Sequence, residues 1–353
     1  HDPGELLASM HQVITQAMRD TEERGQRISA AGIATQRSTI VCWDHDSGRA
    51  LSPVISWQDR RAASILEQCA PAEEQVRQIT GLVRSPHYGA SKLRWCLDNL
   101  APVSQAHADG RLSMGPVSSF LLFHLIREHP SYVDPVNASR TLLWDVETLD
   151  WSIDMLSAFG VPQNALPSCV SSQYDFGVIR GTDIPVTVCT GDQSAAIFAS
   201  GLVNPDVAYV NIGTGAFVLA RTAQAPLSTR LLRSVVWDDG TDVMRVIEGT
   251  VNGAGSALAA RSASQDDIEK AAALIGCSDL PLFLNGISGL GSPYWRDKFE
   301  SRFIGVGDDR ARLAAVLESI LFLLQLNLQH ISSLTTLDRI EISGGLALSL
   351  RHI

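Results

Sequence analysis

The sequence predicts an α/β protein in two domains, expected at residues 1–190 and 191–353. Two observations predict it. Strand-like and helix-like runs alternate through both halves of the 353-residue chain, a length that supports two cores. In addition, a polar or glycine-rich stretch follows four of the predicted strands: Gln36-Arg37, Gly191-Asp192-Gln193, Gly213-Thr214-Gly215 and Gly344-Gly345. Ligands of α/β folds bind beyond the carboxyl ends of strands, so these four stretches are the first candidates for a site.

The elements follow in order. "HDPGELLASMHQVITQAMRD" opens a helix, with Asp2 as N-cap, Pro3 in the first turn, Glu5 where a capping-box acid belongs, and an apolar face of Leu6, Met10, Val13 or Ile14, and Ala17. "RISAAGIATQR" reads as a buried strand ending in Gln36 and Arg37. "IVCW" and "VISW" flank the Asp46–Gly48 turn and are expected to pair as a hairpin. Residues 60–170 are expected to be mostly helical, with loops at "SPHYG" and "APVSQAHADG". "DIPVTVC" returns to strand, and "VAYVNIGTGAFVLA" reads as two strands about a Gly-Thr-Gly turn. "DDRARLAAVLESILFLLQLNLQHI" is a helix apolar nearly all round, hence buried, and "RIEISGG" is a strand running into a glycine pair.

Composition narrows the function. Apolar residues are 45% of the chain and charged residues 19%, ordinary for a globular protein, and the net charge of −10 argues against coating nucleic acid or anionic membrane. The six cysteines are scattered, with neither zinc-site nor disulfide spacing, which fits a reduced, cytoplasmic setting. The longest apolar run, "SILFLLQLNL", is interrupted by Gln325 and Asn327 and is too short to span a bilayer.

Each motif has a bland reading beside the chemical one. Asp192, at a strand-to-helix step, is on local chemistry alone a helix N-cap before it is a reactive carboxylate. Gly213-Thr214-Gly215 lacks the length and lysine of a P-loop; it is either a plain hairpin turn or a turn that aims N–H groups and a hydroxyl at phosphate. Arg37 is a fork of donors suited to hydroxyls or carboxylates, or half of a surface ion pair. Trp57, Gln58 and Asp59 suit a polyol; otherwise Trp57 is core and Asp59 pairs with Arg60 or Arg61. His87 and Tyr88 lie in a loop, and "GLGSPYW" is read as structural. No Ser-His-Asp, Cys-His or metal-ligand spacing stands out.

The segments "GIATQRSTIVCWDHDSG…VISWQDRR", "NASRTLLWDVETLDW", "GDQSAAIF", "IGTGAFVLA", "GLGSPYW" and "ISGG", in that order, resemble the FGGY carbohydrate kinases, most of all their glycerol-kinase branch, over nearly the whole chain. The resemblance implies two ribonuclease-H-like domains of the actin and hexokinase type around a central cleft, the first on the substrate side and the second on the ATP side. It implies transfer of the ATP γ-phosphoryl group to a polyol or sugar hydroxyl with Mg²⁺, and glycerol is the first substrate expected. Asp192 matches the catalytic base and an indirect Mg²⁺ contact. Arg37, Ser38, Trp57, His87, Gln193 and Phe217 match acceptor-binding positions, while Gly213, Thr214, Gly215, Gly255, Gly344, Gly345 and Ser349 match the ATP site. The branch also implies a homodimer or homotetramer.

The chain departs from that pattern where Ser38 replaces a Glu, His87 a Tyr, Ser118 an Asp and Ser349 an Asn, and where Asn252-Gly253 replaces larger apolar residues. Two of these touch the acceptor pocket, so a longer polyol or a ketose of the xylulose, ribulose or sedoheptulose type is the alternative substrate. The family pattern also has an Asp-x-Gly-Thr phosphate hairpin ahead of His1 and a helix beyond Ile353. Segments at both ends are therefore expected outside the given sequence, and "AARSASQDD" is shorter than its counterpart. Without such segments the chain would be a catalytically dead sugar-binding relative. An actin-like ATPase, the third reading, leaves Arg37, Trp57 and Gln193 without a purpose.

Overall fold

The computed structural model describes residues 1–222, 226, 229–296 and 298–346. It divides into two compact units: His1–Gly201 with Ser234–Met244, and Leu202–Arg233 with Arg245–Ile353. The boundary falls after Gly201, so the "GDQSAAIF" segment belongs to unit 1, whereas the sequence reading began the second domain at residue 191.

Unit 1 opens with helix α1 (Pro3–Glu23). The Asp2 side chain accepts the Glu5 N–H at 2.9 Å and so caps it. Leu6, Leu7, Met10 and Ile14 pack onto the unit, while Val13 faces solvent. Strands β1 (Ala31–Thr35) and β2 (Ile40–Asp44) follow, then helices α2 (Ala63–Cys69), α3 (Glu73–Thr80), α4 (Gly89–Asn99) and α5 (Ala101–Ala108). Helix α5 occupies the "APVSQAHADG" segment read as a loop; Pro102 sits in its first turn, where proline is tolerated, and Val103 and Ala106 are buried.

The hairpin expected between "IVCW" and "VISW" forms as isolated antiparallel bridges rather than as a regular ladder. Strand β2 pairs antiparallel with the distant β3 (Leu112–Pro116), Cys42 opposite Met114. The "VISW" side makes only bridges at Ile40–Ile55 and Trp43–Ala50, because the Ser52 hydroxyl takes the Cys42 N–H and Pro53 has no N–H to offer. Beyond β3, the all-apolar helix α6 (Val117–Leu125) is buried. Two-residue strands β4 (Tyr132–Val133), β5 (Trp144–Asp145), β6 (Asp150–Trp151) and β7 (Ser168–Cys169) then interleave with α7 (Pro135–Ala138) and α8 (Ile153–Phe159).

Strand β8 (Val186–Gly191) runs parallel to β1, with Thr35 opposite Gly191. This register controls the site. The two strands end level, so the residues after them, Gln36-Arg37 and Asp192-Gln193, emerge side by side. Helix α9 (Asp192–Ile197) starts at once after β8.

In unit 2, β9 (Val207–Ile212) and β10 (Ala216–Arg221) form an antiparallel hairpin with Ile212 opposite Ala216. Strand β11 (Leu232–Asp238) leads out to residues 234–244 and β12 (Val243–Val251) returns to pair with β10. Helices α10 (Gly255–Ala259) and α11 (Gln265–Ala272), strands β13 (Leu282–Leu284) and β14 (Arg302–Ile304), helix α12 (Asp309–Ser332) and β15 (Arg339–Ser343) complete the described part. Strand β15 lies parallel to β9, Ser343 opposite Asn211, so this pair also ends level.

By length and hydropathy α12 could cross a membrane, beyond what the interrupted run suggested. Its Ala314, Val316, Leu317, Ile320 and Leu324 are core residues packed with Ala208, Val210, Ile212 and Val218. Phe322, Gln325 and Gln329 are exposed, so one face is outside the core.

Candidate active site

The level ends of β1 and β8 gather the first group. Arg37, buried, lies against the β8 backbone: a Cβ on Gly191 would stand 2.6 Å from Arg37 Cγ and 2.7 Å from its Cδ. Glycine at 191 is what admits the arginine stem at this point. The Arg37 guanidinium donates to Gln193 Oε1, fastening the two strand ends through side chains. Asp192 is exposed and belongs to the first turn of α9. Gly191 holds the N-cap position, so Asp192 is not the cap that local chemistry favours. Its Oδ1 accepts the Gln193 N–H at 2.7 Å.

A second layer holds β1 and β8 from behind. The Thr35 hydroxyl donates to Asn137 Oδ1 at 3.1 Å, and Asn137 Nδ2 donates to Asp134 Oδ1 at 2.7 Å. The Cys189 thiol of β8 donates to the same Asp134 oxygen at 3.4 Å. Asp134 has no exposed surface, and burial pushes its carboxyl up to about 6, against the lowering effect of the Asn137 and Cys189 hydrogen bonds.

The loops beside this pair supply aromatic and polar groups. Trp57 and His87, both half-buried, stack at a tilt with ring centroids 5.2 Å apart, so neither is core and neither is freely solvated. Desolvation, then the positive charges of Lys92, Arg140, Arg60 and Arg37, hold His87 well below its usual pKa, so its imidazole is neutral at pH 7. Asp59 takes the bland role: it pairs with Arg61 at 2.8 Å and is lowered chiefly by that hydrogen bond. Thr39 joins β1 to Trp57, accepting the Trp57 N–H at 3.1 Å while donating to Gln36 Oε1 at 3.2 Å.

Ser38 has a φ of 63° and is buried, and its hydroxyl has no hydrogen-bond partner among the described residues. Ser118, on α6, is likewise buried with an unpartnered hydroxyl. Lys92 went unnoticed in the sequence. It has no exposed surface, and burial brings its ammonium down to about 7, with Asp59 pulling the other way and Arg60 adding to the depression. The small residues of "YGASK" were the available signal: Gly89, Ala90 and Ser91 are all buried, so the first turn of α4 is packed tightly enough to take the lysine inside.

Unit 2 gathers the second group. Gly213-Thr214-Gly215 is the turn of the β9–β10 hairpin, with the Gly213 N–H donating to Gly215 O at 2.8 Å. The first amides of α10 close on it: Gly255 N–H donates to Gly213 O and Ser256 N–H to Thr214 O, both at 2.9 Å. Side chains are excluded here, since a Cβ on Gly255 would lie 2.5 Å from Gly213 O and one on Gly344 2.4 Å from Ile212 O. Gly344 also has a φ of 99°. Gly345 faces open space and Thr214 is exposed. Phe217 is half-buried on β10, two residues past the turn. Ser349 lies outside the described residues. In the "SPYW" loop Ser292 Oγ donates to Asn327 and accepts the Thr250 N–H, each at 2.6 Å, while Tyr294 is exposed.

Comparison with known proteins bears on both groups. Residues 1–199 match the N-terminal domain, and 208–351 the C-terminal domain, of the FGGY family of carbohydrate kinases. The glycerol kinase of Thermococcus onnurineus is 32% identical over 98% of this chain and 72% of that protein. The glycerol kinase of Myxococcus xanthus is 36% identical over 89% of this chain and 66% of that protein. The Plasmodium falciparum glycerol kinase crystallised with ADP superposes with a TM-score of 0.90 at 25% identity, covering 99% of this chain and 74% of that one. A Brucella ovis xylulose kinase shares the fold, with a TM-score of 0.86 at 22% identity over 99% of this chain and 74% of that one. With both family domains matched in order along nearly its whole length, the chain belongs to the FGGY family of carbohydrate kinases.

Proposed function

We propose that this sugar or polyol kinase takes glycerol as its first substrate and forms glycerol 3-phosphate, with the acceptor bound by unit 1 and ATP by unit 2. The observation that carries the reading is the level ending of β1 and β8, with Arg37, Asp192 and Gln193 in one cluster beside Trp57 and His87. In it Asp192 takes the proton of the attacking hydroxyl. Arg37 and Gln193 orient the neighbouring hydroxyls, and Trp57 and His87 wall the carbon chain. A neutral His87 can donate or accept a hydrogen bond without adding charge.

The bare glycine turn Gly213-Thr214-Gly215, with Gly255, Gly344 and Gly345, supports binding of phosphate and nucleotide, because backbone can approach closely where no Cβ intervenes. Ser349, outside the described residues, is the further ATP position that the resemblance implies. Phosphoryl transfer depends on positioning and charge neutralisation more than on covalent chemistry. The donors fit Mg²⁺ held chiefly by ATP phosphates: no trio of His, Cys, Asp or Glu gathers among the described residues, and Asp192 offers one exposed carboxylate. Mg²⁺ would neutralise phosphate charge, with Asp192 as its contact through water.

A second reading, a longer polyol or ketose, is favoured by Ser38. Its buried hydroxyl without a partner is a group that an additional substrate hydroxyl would satisfy. ADP release measured across glycerol, erythritol, xylitol, ribulose, xylulose, gluconate and sedoheptulose separates the readings. Highest kcat/KM on glycerol supports the first, and a ketose or five-carbon polyol ahead of glycerol supports the second. Binding without turnover of any would make the chain a non-catalytic relative.

A further inference from the structure

We propose that Lys92 is a positioning residue for the acceptor pocket, tying together the three backbone segments that carry Arg37-Ser38, Trp57 and His87. The inference rests on the acceptor reading of unit 1 given above.

Lys92 Nζ donates to the carbonyls of Ser38 at 3.2 Å, Ser56 at 3.0 Å and His87 at 2.6 Å. A protonated lysine has three donors, and each meets one carbonyl here. The three acceptors come from separate loops, 54, 36 and 5 residues away along the chain. One belongs to the residue next to Arg37, one to the residue before Trp57, and one to His87 itself. A single buried atom therefore sets the spacing between the residues assigned to the acceptor.

Ser38 adds an independent observation. Its φ of 63° lies in the left-handed region that serine seldom adopts, and such backbone persists where its surroundings hold it. The Lys92 hydrogen bond to its carbonyl is one such hold. No carboxylate pairs with Lys92 among the described residues; Asp59, whose negative charge acts on it, is already bound by Arg61. An ammonium buried without a carboxylate is an expensive way to hold three loops for stability alone, and its placement matches the acceptor residues instead.

The test is steady-state kinetics on the full chain, using the panel member with the highest kcat/KM as acceptor. Lys92→Met is expected to raise the acceptor KM at least tenfold while the KM for ATP stays within twofold. Lys92→Gln, which keeps two donors, is expected to recover part of the loss. An acceptor KM within twofold of wild type in a cooperatively melting Lys92→Met protein overturns the inference, as do equal rises in both KM values. Should Lys92→Met fail to fold, Lys92→Gln is judged by the same split, with a smaller rise expected. Absence of turnover by the intact wild-type protein on every panel member overturns the kinase reading and this inference together, whereas turnover with an unchanged acceptor KM overturns the inference alone.

Discussion

Both units end a parallel pair of strands level, and they use those ends in opposite ways. In unit 1 the ends of β1 and β8 carry Arg37, Asp192 and Gln193, long or charged side chains that reach one another. In unit 2 the ends of β9 and β15 run into glycines whose hydrogen bonds are between backbone atoms, with the Asn211 Nδ2 to Ser343 Oγ bond at 3.1 Å just behind them. Side chains distinguish one hydroxyl pattern from another. Bare backbone recognises what all nucleotides share, a chain of phosphate oxygens. On the function proposed above, the same topological position serves selectivity in one unit and close approach in the other.

If that division of labour is right, single substitutions separate the two kinetic constants. The largest effect is expected from Asp192→Asn, which keeps shape and removes the base. Its kcat is expected to fall by about 10²–10⁴-fold with the melting temperature unchanged, since the side chain is exposed and asparagine keeps the oxygen that accepts the Gln193 N–H. A near-normal kcat would return Asp192 to a passive role. In unit 2, Gly344→Ala forces a Cβ to within 2.4 Å of Ile212 O at a φ of 99°. The cost is about 1–3 kcal/mol of backbone strain, and the expected signature is a lower melting temperature with a raised KM for ATP and an unchanged acceptor KM. The converse is expected from Gly191→Ala. The intruding Cβ meets the flexible stem of Arg37, so the fold survives while the guanidinium shifts. The acceptor KM is expected to rise on the order of tenfold, with the KM for ATP untouched.

The strand-end clusters could be read in the sequence because their signals are local. "ATQR", "TGDQS", "IGTG" and "ISGG" each place polar or glycine residues directly after an apolar run. What escaped the sequence depends on contacts between distant segments. Strand β2 takes its regular ladder from β3, a partner some seventy positions away, while a serine side chain and a proline reduce the "VISW" side to bridges. Lys92 drew no notice in the sequence, because the three carbonyls around it come from three separate loops. Asp59 shows the reverse: a candidate for hydroxyl recognition is taken by Arg61, two residues away.

The smallest effect, and the one that examines unit 1 behind its side chains, concerns Asp134. Its carboxyl is pushed up to about 6 in the folded chain from an ordinary value of 3.8, chiefly by burial. Between those two values the folded state holds more protons at this residue than the unfolded state. The stability contributed by this group is therefore fully present below about pH 4 and is lost as pH rises through 6. At about 1.4 kcal/mol per unit, the loss amounts to roughly 2–3 kcal/mol. Chemical denaturation of the wild type and of Asp134→Asn at pH 4, 5, 6 and 7 reads it as a difference between the two proteins. The gap is expected to move in favour of the asparagine variant as pH rises, because an amide gains no charge to bury. A gap independent of pH would mean that Asp134 is ionised throughout, its charge held by Asn137 and Cys189. The support beneath β1 and β8 would then be an ionic network.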